Sequence, residues 1–156
     1  MTKKIWGGRF KKQTSLETEN FTSSIDIDKE LYSFDIQGSI AHVEMLYRKK
    51  IIASKEKNKI IQGLNKIMHE SEEGKVIFLS ELEDIHMNIE DALTRKVGTA
   101  GKKVHTARSR NDQVSTDTKL YIKDKVKDLR SNLIKLQRSI LKKSEKNIDI
   151  IIKFIL

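Results

Sequence analysis

The run His105-Thr106-Ala107-Arg108-Ser109-Arg110-Asn111-Asp112 packs two guanidiniums, two hydroxyls, an amide and a carboxylate into eight residues. A long helical pattern begins at once behind it, from Gln113. Anion-binding side chains therefore sit where free backbone N–H groups and the positive end of a helix dipole converge. Each arginine adds a planar fork that can hold a carboxylate through two parallel hydrogen bonds. The chemistry suited to this cluster is recognition of a small anionic substrate. An ordinary helix cap flanked by solvated charges would use the same residue types. A second segment, Glu83-Asp84-Ile85-His86-Met87-Asn88-Ile89-Glu90, places His86 and Glu90 four apart, on one helical face if Ile85 and Ile89 turn inward. A carboxylate beside a histidine fixes its tautomer and raises its pKa, which suits anion holding or proton relay; a surface pair is the alternative. No second His or Asp stands at ligand spacing, so no metal site is expected here. The third segment, Phe21–Asp28, is a hydroxyl-rich turn with acidic residues, able to cap or hydrogen-bond. His42 and His69 are read as surface residues without a role.

These groups need elements to hold them, and the periodicity is helical throughout. Asp35 or Ser39 opens a helix carrying Ile36, Ile40, Val43 and Tyr47 on one side. Ser54 caps a second, whose apolar face is Ile60, Ile61, Leu64, Ile67 and Met68, and Gly74 ends it in a left-handed turn. Ile85, Ile89, Leu93 and Val97 mark a third, followed by a loop at 98–101. Then Ile122, Val126, Leu129, Leu133, Leu136 and Ile140 alternate steps of four and three, the seam of a heptad helix. From Asp112 to Glu145 such a helix rises on the order of 50 Å. The shorter helices cannot cover that seam, so it implies a bundle completed by further sequence or other subunits. Val76–Leu79 is too short to establish a strand. The expected fold class is all-α, with an N-terminal helical domain at 1–105 and the first long helix of an incomplete central bundle at 106–156.

Composition narrows the function classes. The chain has no cysteine among its 156 residues, which excludes disulfides and cysteine nucleophiles. Met1 to Phe10 lacks the apolar core of a secretory signal, and Ile148–Leu156 falls short of the roughly 20 residues that span a bilayer. A cytoplasmic location without membrane attachment is the expectation. The net charge of +9 lies entirely beyond residue 100. A basic helix can bind nucleic acid, but Tyr121 and Phe154 are the only aromatics in that part, poor material for stacking on bases.

Taken together, Trp6-Gly7-Gly8-Arg9-Phe10, Asp35-Ile36-Gln37-Gly38-Ser39-Ile40-Ala41-His42, the segment Glu83–Glu90 and the run His105 to Val114 resemble the argininosuccinate lyase family, within the fumarase/aspartase superfamily. The motifs occur in that family's order and spacing, and the resemblance extends to about Ser144. It implies a reversible β-elimination that splits argininosuccinate into arginine and fumarate. A base removes a proton beside a carboxylate, and fixed donors stabilise the charge that develops there. Carried over by position, Ser24 and Asn111 contact substrate, Ser109 and Arg110 bind its carboxylates, His86 lines or supports the site, and Asp28 faces the guanidinium end. The resemblance implies no cofactor or metal, and a homotetramer whose sites draw on several subunits.

The family's later Thr-His pair and its flexible serine loop, the source of the proposed base, have no counterpart in this sequence. No catalytic residue is therefore assigned. The expectation is a shortened chain, inactive alone, from a frameshift, an early stop or a split gene whose separate C-terminal half completes the site. Two other readings stay open: a non-catalytic structural module, as the lens delta-crystallins of this family illustrate, and a basic nucleic-acid-binding helix.

Overall fold

The computed structural model describes residues 15–151. The Trp6–Phe10 motif and the apolar tail beyond Ile151 lie outside them. Among the described residues six α-helices follow one another: α1 (Leu16–Thr22), α2 (Ile25–Asp28), α3 (Tyr32–Arg48), α4 (Ser54–Glu72), α5 (Ile85–Val97) and α6 (Arg110–Glu145). Turns of 3₁₀ helix at Lys29–Leu31, Ser80–Leu82 and Gly98–His105 link them. Among the described residues there is no strand, as the periodicity requires, and the fold is all-α. No helix there is long and apolar enough to cross a membrane. The chain divides into two compact units, Met1–Thr118 and Lys119–Leu156.

In the first unit the apolar faces read from sequence meet in one core. Ile36, Val43 and Leu46 of α3, Ile60, Leu64 and Ile67 of α4, and Ile85, Ile89 and Leu93 of α5 are all buried. Glycines let the helices close on one another. Gly63 of α4 faces Leu93 and Val97, and Gly101 lies against the backbone of Thr94. Gly74 ends α4 with φ +68°, the left-handed conformation its position called for.

Local boundaries depart from expectation in three places. α3 starts at Tyr32 instead of Asp35 or Ser39, because the Lys29–Leu31 turn already runs into it. Asp35 is thereby freed from capping and faces inward, 1% exposed. Ser54 is the first residue of α4 and not its cap; the Ala53 N–H donates instead to the Glu56 carboxylate (3.1 Å). Residues 98–101 are no open loop but the start of the 3₁₀ segment Gly98–His105.

In the second unit the heptad positions Ile122, Val126, Leu129, Leu133, Leu136 and Ile140 are each 51–59% exposed. Their i, i+4 and i, i+3 spacing puts them on one stripe of the helix.

Gly101 is the close approach of the first unit made against backbone. A Cβ built there would stand 2.9 Å from Thr94 Cα and 3.0 Å from Thr94 N, backbone atoms that cannot rotate away. Gly101→Ala is expected to cost about 1–3 kcal/mol. Thermal denaturation checks it: the midpoint should fall by several degrees, and an unchanged midpoint contradicts the close approach.

Candidate functional site

The site is built around the N-terminal turn of α5. Asp84 caps that helix, accepting from the Met87 N–H (2.6 Å), and Asp28 accepts from the otherwise orphaned Ile85 N–H (3.1 Å). The Ser24 hydroxyl donates to the second oxygen of Asp28 (2.6 Å), so both carboxylate oxygens are engaged. Burial raises the Asp28 pKa, and the Asp84 charge adds to it, against the two hydrogen bonds. The chain reaches Asp84 through a strained residue. Glu83 has φ +68° and ψ −57°, and the Asp84 N–H closes a tight bond to the Leu82 carbonyl (2.8 Å). For a residue with a side chain this γ-turn is costly. It turns the Glu83 carbonyl toward the Ser24 N–H (2.9 Å) and the Ser23 hydroxyl (3.3 Å), which ties the Phe21–Asp28 segment to α5. Asn88 pins the segment before it, exchanging hydrogen bonds with the Leu79 backbone in both directions (2.7 and 3.1 Å).

The His105–Asp112 run turns into α6 through Ala107, which has φ +54°. His42 fixes this turn, its Nε2 donating to the Thr106 carbonyl (2.8 Å). Ser109 takes the capping role. Its carbonyl accepts from the Gln113 N–H (3.2 Å) and its hydroxyl from the Asn111 N–H (3.2 Å). Ser109 and Asn111 are exposed. Arg110 is partly buried at the first helical position. Its Nη1 donates to Gln113 Oε1 (2.9 Å), Nη2 lies 3.6 Å from Glu90 and Nε 3.8 Å from Asp84. The last two distances are charge contacts, too long for hydrogen bonds, and leave donor capacity on the guanidinium.

His86 does not pair with Glu90, contrary to the i, i+4 reading. Glu90 instead accepts from His105 Nδ1 (2.8 Å) and faces Arg110. His86 is 1% exposed, with Nδ1 3.4 Å from Asp35 and 3.5 Å from Asp117. The two share a face of α5 but stand one turn apart along it, and each is engaged by groups of other elements: His86 by Asp35 of α3 and Asp117 of α6, Glu90 by His105 and Arg110. Asp35 also accepts from the Gln113 amide nitrogen and, at 3.5 Å, from the Ser39 hydroxyl. Ser39 in turn accepts from Arg108 Nη2 (3.1 Å).

Two carboxylates cannot share so dry a volume with both charges unrelieved. Burial pushes Asp117 up to about 7, with the Asp35 charge adding and the His86 and Arg108 charges opposing. Burial also works against ionised Asp35, yet His86, Gln113 and Arg108 outweigh it and hold that carboxyl below its ordinary range. His86 would be lowered by burial alone; Asp35, and to a lesser degree Asp84, raise it against the opposing Arg110 charge. The raised His86 and the lowered Asp35 favour an imidazolium–carboxylate pair, while Asp117, near 7, is close to half-protonated at neutral pH.

Among the described residues Asp35, His86 and Asp117 form the group whose donor atoms could converge on a metal ion. The Arg108 guanidinium, whose charge acts on both Asp35 and Asp117, works against a further cation there.

The structure therefore brings Ser24, Asp28, His86 and Arg110 to the start of α5, with Ser109 and Asn111 flanking Arg110. No direct contact joins the Ser24–Asp28 pair to Arg110. Asp35, Gln113, Arg108 and Asp117 were not singled out as site residues from sequence. The signal was present in two polar pairs at helical spacing, Asp35/Ser39 and Gln113/Asp117, the first set beside the apolar Phe34, Ile36 and Ile40.

Residues 8–153 match a family model described as Lyase. The chain is 51% identical over 151 residues to the argininosuccinate lyase of Syntrophotalea carbinolica, covering 97% of this chain and 33% of that protein. It is 51% identical over 148 residues to that of Geotalea daltonii, covering 95% and 32%. With the argininosuccinate lyase of Carboxydothermus hydrogenoformans the identity is 53% over 140 residues, covering 85% and 31%. The chain thus spans about one third of the length of the curated relatives it matches.

A raised carboxyl pKa has a fixed sign for stability. The contribution of Asp117 is fully present below its unfolded value of 3.8 and is lost as pH rises through about 7. The raised His86 works in the same direction, its contribution fading as pH climbs through its folded pKa. Asp117→Asn removes the carboxylate but keeps the shape. It is expected to stabilise the chain at pH 8 by roughly 1–3 kcal/mol and to have almost no effect near pH 4. Thermal midpoints of both proteins across that range check it; a destabilised variant at pH 8 contradicts the charge assignment.

Proposed function

The chain belongs to the lyase family, and from that membership we propose that it contributes the carboxylate-binding part of an argininosuccinate lyase site. The reaction is the reversible elimination of argininosuccinate to arginine and fumarate. The observation that carries this reading is the setting of Arg110. It stands at a helix N-terminus with unspent donors, held in place by Gln113, Glu90 and Asp84. Removing the proton beside a carboxylate moves negative charge onto that carboxylate. A guanidinium already oriented there stabilises the charge without reorganising as it forms.

In this reading Arg110 and Ser109 bind carboxylate oxygens, and Asn111 and Ser24 hydrogen-bond the substrate. Asp28 faces its guanidinium end, and His86 supports the site from within. The proton acceptor comes from elsewhere in the assembled enzyme. The functional division follows the same logic: 1–105 forms the supporting helical domain, and 106–156 begins a shared helical bundle. The exposed heptad stripe of α6 supports a homotetramer assembled through that bundle, in the cytoplasm, with no cofactor required.

A chimera tests the chemistry. Residues 1–151 of this chain replace the corresponding first third of the Syntrophotalea carbinolica relative, and fumarate release from argininosuccinate is followed. The chimera is expected to turn over. Arg110→Lys and Asn111→Ala within it should each lower kcat/KM by about 10²-fold, a loss of roughly 3 kcal/mol of transition-state stabilisation. Activity unchanged in both variants contradicts the assignment.

Assembly is tested on the chain itself. Each apolar side chain of the stripe gains roughly 1.5–3 kcal/mol on burial. Leu129→Asp with Leu133→Asp should therefore abolish self-association. Analytical ultracentrifugation of the parent chain should show an oligomer, and a monodisperse monomer contradicts this use of the stripe.

A further inference from the structure

We propose that Gln113 is a positioning residue for the Arg110 guanidinium, fixed in one orientation by buried Asp35. The proposal rests on the reading of Arg110 as a carboxylate-binding group. Gln113 is 2% exposed and lies between two groups of opposite hydrogen-bonding type. On one side the Arg110 Nη1 donates to its Oε1 (2.9 Å); on the other its Nε2 donates to Asp35 Oδ1. A guanidinium has donors only, and an ionised carboxylate has acceptors only. A carboxamide placed between them has one allowed orientation, oxygen toward Arg110 and nitrogen toward Asp35. Rotating the amide would set N–H against N–H on one side and oxygen against oxygen on the other.

No other side chain of this length meets both demands. Glutamate would set a second carboxylate against Asp35, and lysine or arginine a second cation against Arg110. The ionised state of Asp35 is itself maintained by His86 at 3.4 Å and by Arg108 through Ser39. The interior charge cluster and the partly exposed guanidinium are thus joined by a single amide, across α3 and the first turn of α6. Gln113 need not touch substrate; it acts through Arg110.

The test uses the full chain with two readouts. One is the ¹⁵N–¹H signal set of the Arg110 side chain, where a held guanidinium rotates slowly about Cζ–Nε. The other is binding of fumarate, a dicarboxylate probe, by calorimetry. Gln113→Met, similar in length, should speed the rotation and weaken fumarate binding about ten-fold, the loss of one charge-assisted hydrogen bond. Asp35→Asn offers either donor or acceptor to Gln113, so the amide is no longer forced; Arg110 should then show doubled or averaged signals. Leu64→Ala opens the buried core of α3, α4 and α5 without touching Asp35, Gln113 or Arg110, and should lower the thermal midpoint while leaving the Arg110 signals unchanged.

Arg110 signals identical to the parent in either folded variant, Gln113→Met or Asp35→Asn, overturn the proposal. So does an equal response to Leu64→Ala, which would mark a general structural effect. If fumarate binds neither parent nor variants while the Arg110 signals respond as described, the positioning role stands and the carboxylate-binding reading fails.

Discussion

Asp35, His86 and Asp117 occupy one dry volume, and their charge balance is the constraint on which the first unit depends. Each comes from a different helix, α3, α5 and α6, and each is 1% exposed. An isolated carboxylate in such a place is strongly unfavourable. Two of them with an imidazole are tolerable only when protons and donors are distributed correctly. His86 is pushed toward its protonated form, Asp117 takes a share of another proton, and Asp35 is held toward its ionised form by the donors gathered around it. Distribution of that kind requires the three helices to meet in one register. A shift of α6 by one residue would carry Asp117 and Gln113 away from Asp35 together.

The same register sets the surface chemistry. With Gln113 committed to Asp35, its oxygen is presented to Arg110. With Asp117 one turn further inward, the first turn of α6 is held and the Ser109–Asn111 cap takes its place at the surface. The α5 terminus is fixed independently, by Asp28 and Asp84 as capping groups and by the strained Glu83 turn. Arg110 stands where the two supports meet. Its distances of 3.6 and 3.8 Å to Glu90 and Asp84 balance its charge loosely. A loosely paired cation keeps its position yet gives up little when an anion arrives, which suits a site that binds and releases its ligands reversibly.

Much of this was legible in the sequence, for identifiable reasons. The faces of α4 and α5 follow a clean apolar period, and Gly74 marks a helix end that only a left-handed residue satisfies easily. The His105–Asp112 run stood out because its residue types are costly to cluster without a use. Partner choice was not legible. Helical spacing put Glu90 beside His86, but side chains four apart on one helix compete with groups on other helices, and no local pattern discloses those. His86 found Asp35 and Asp117, while Glu90 found His105 and Arg110. His42, set aside from sequence, proved to hold the Thr106 turn for the same reason. The 3₁₀ segment Gly98–His105 escaped because two glycines and short side chains read as loop.

The charge state of His86 tests the account most directly. Its imidazole nitrogens can be followed by ¹⁵N NMR of the folded chain from pH 5 to 9. A raised pKa predicts that the imidazolium pattern, with both nitrogens protonated, is still dominant at pH 6.5. A neutral imidazole already at pH 6, with one bare nitrogen, would mean that the buried carboxylates are balanced in some other way, and the account of how α3, α5 and α6 are held together would fail.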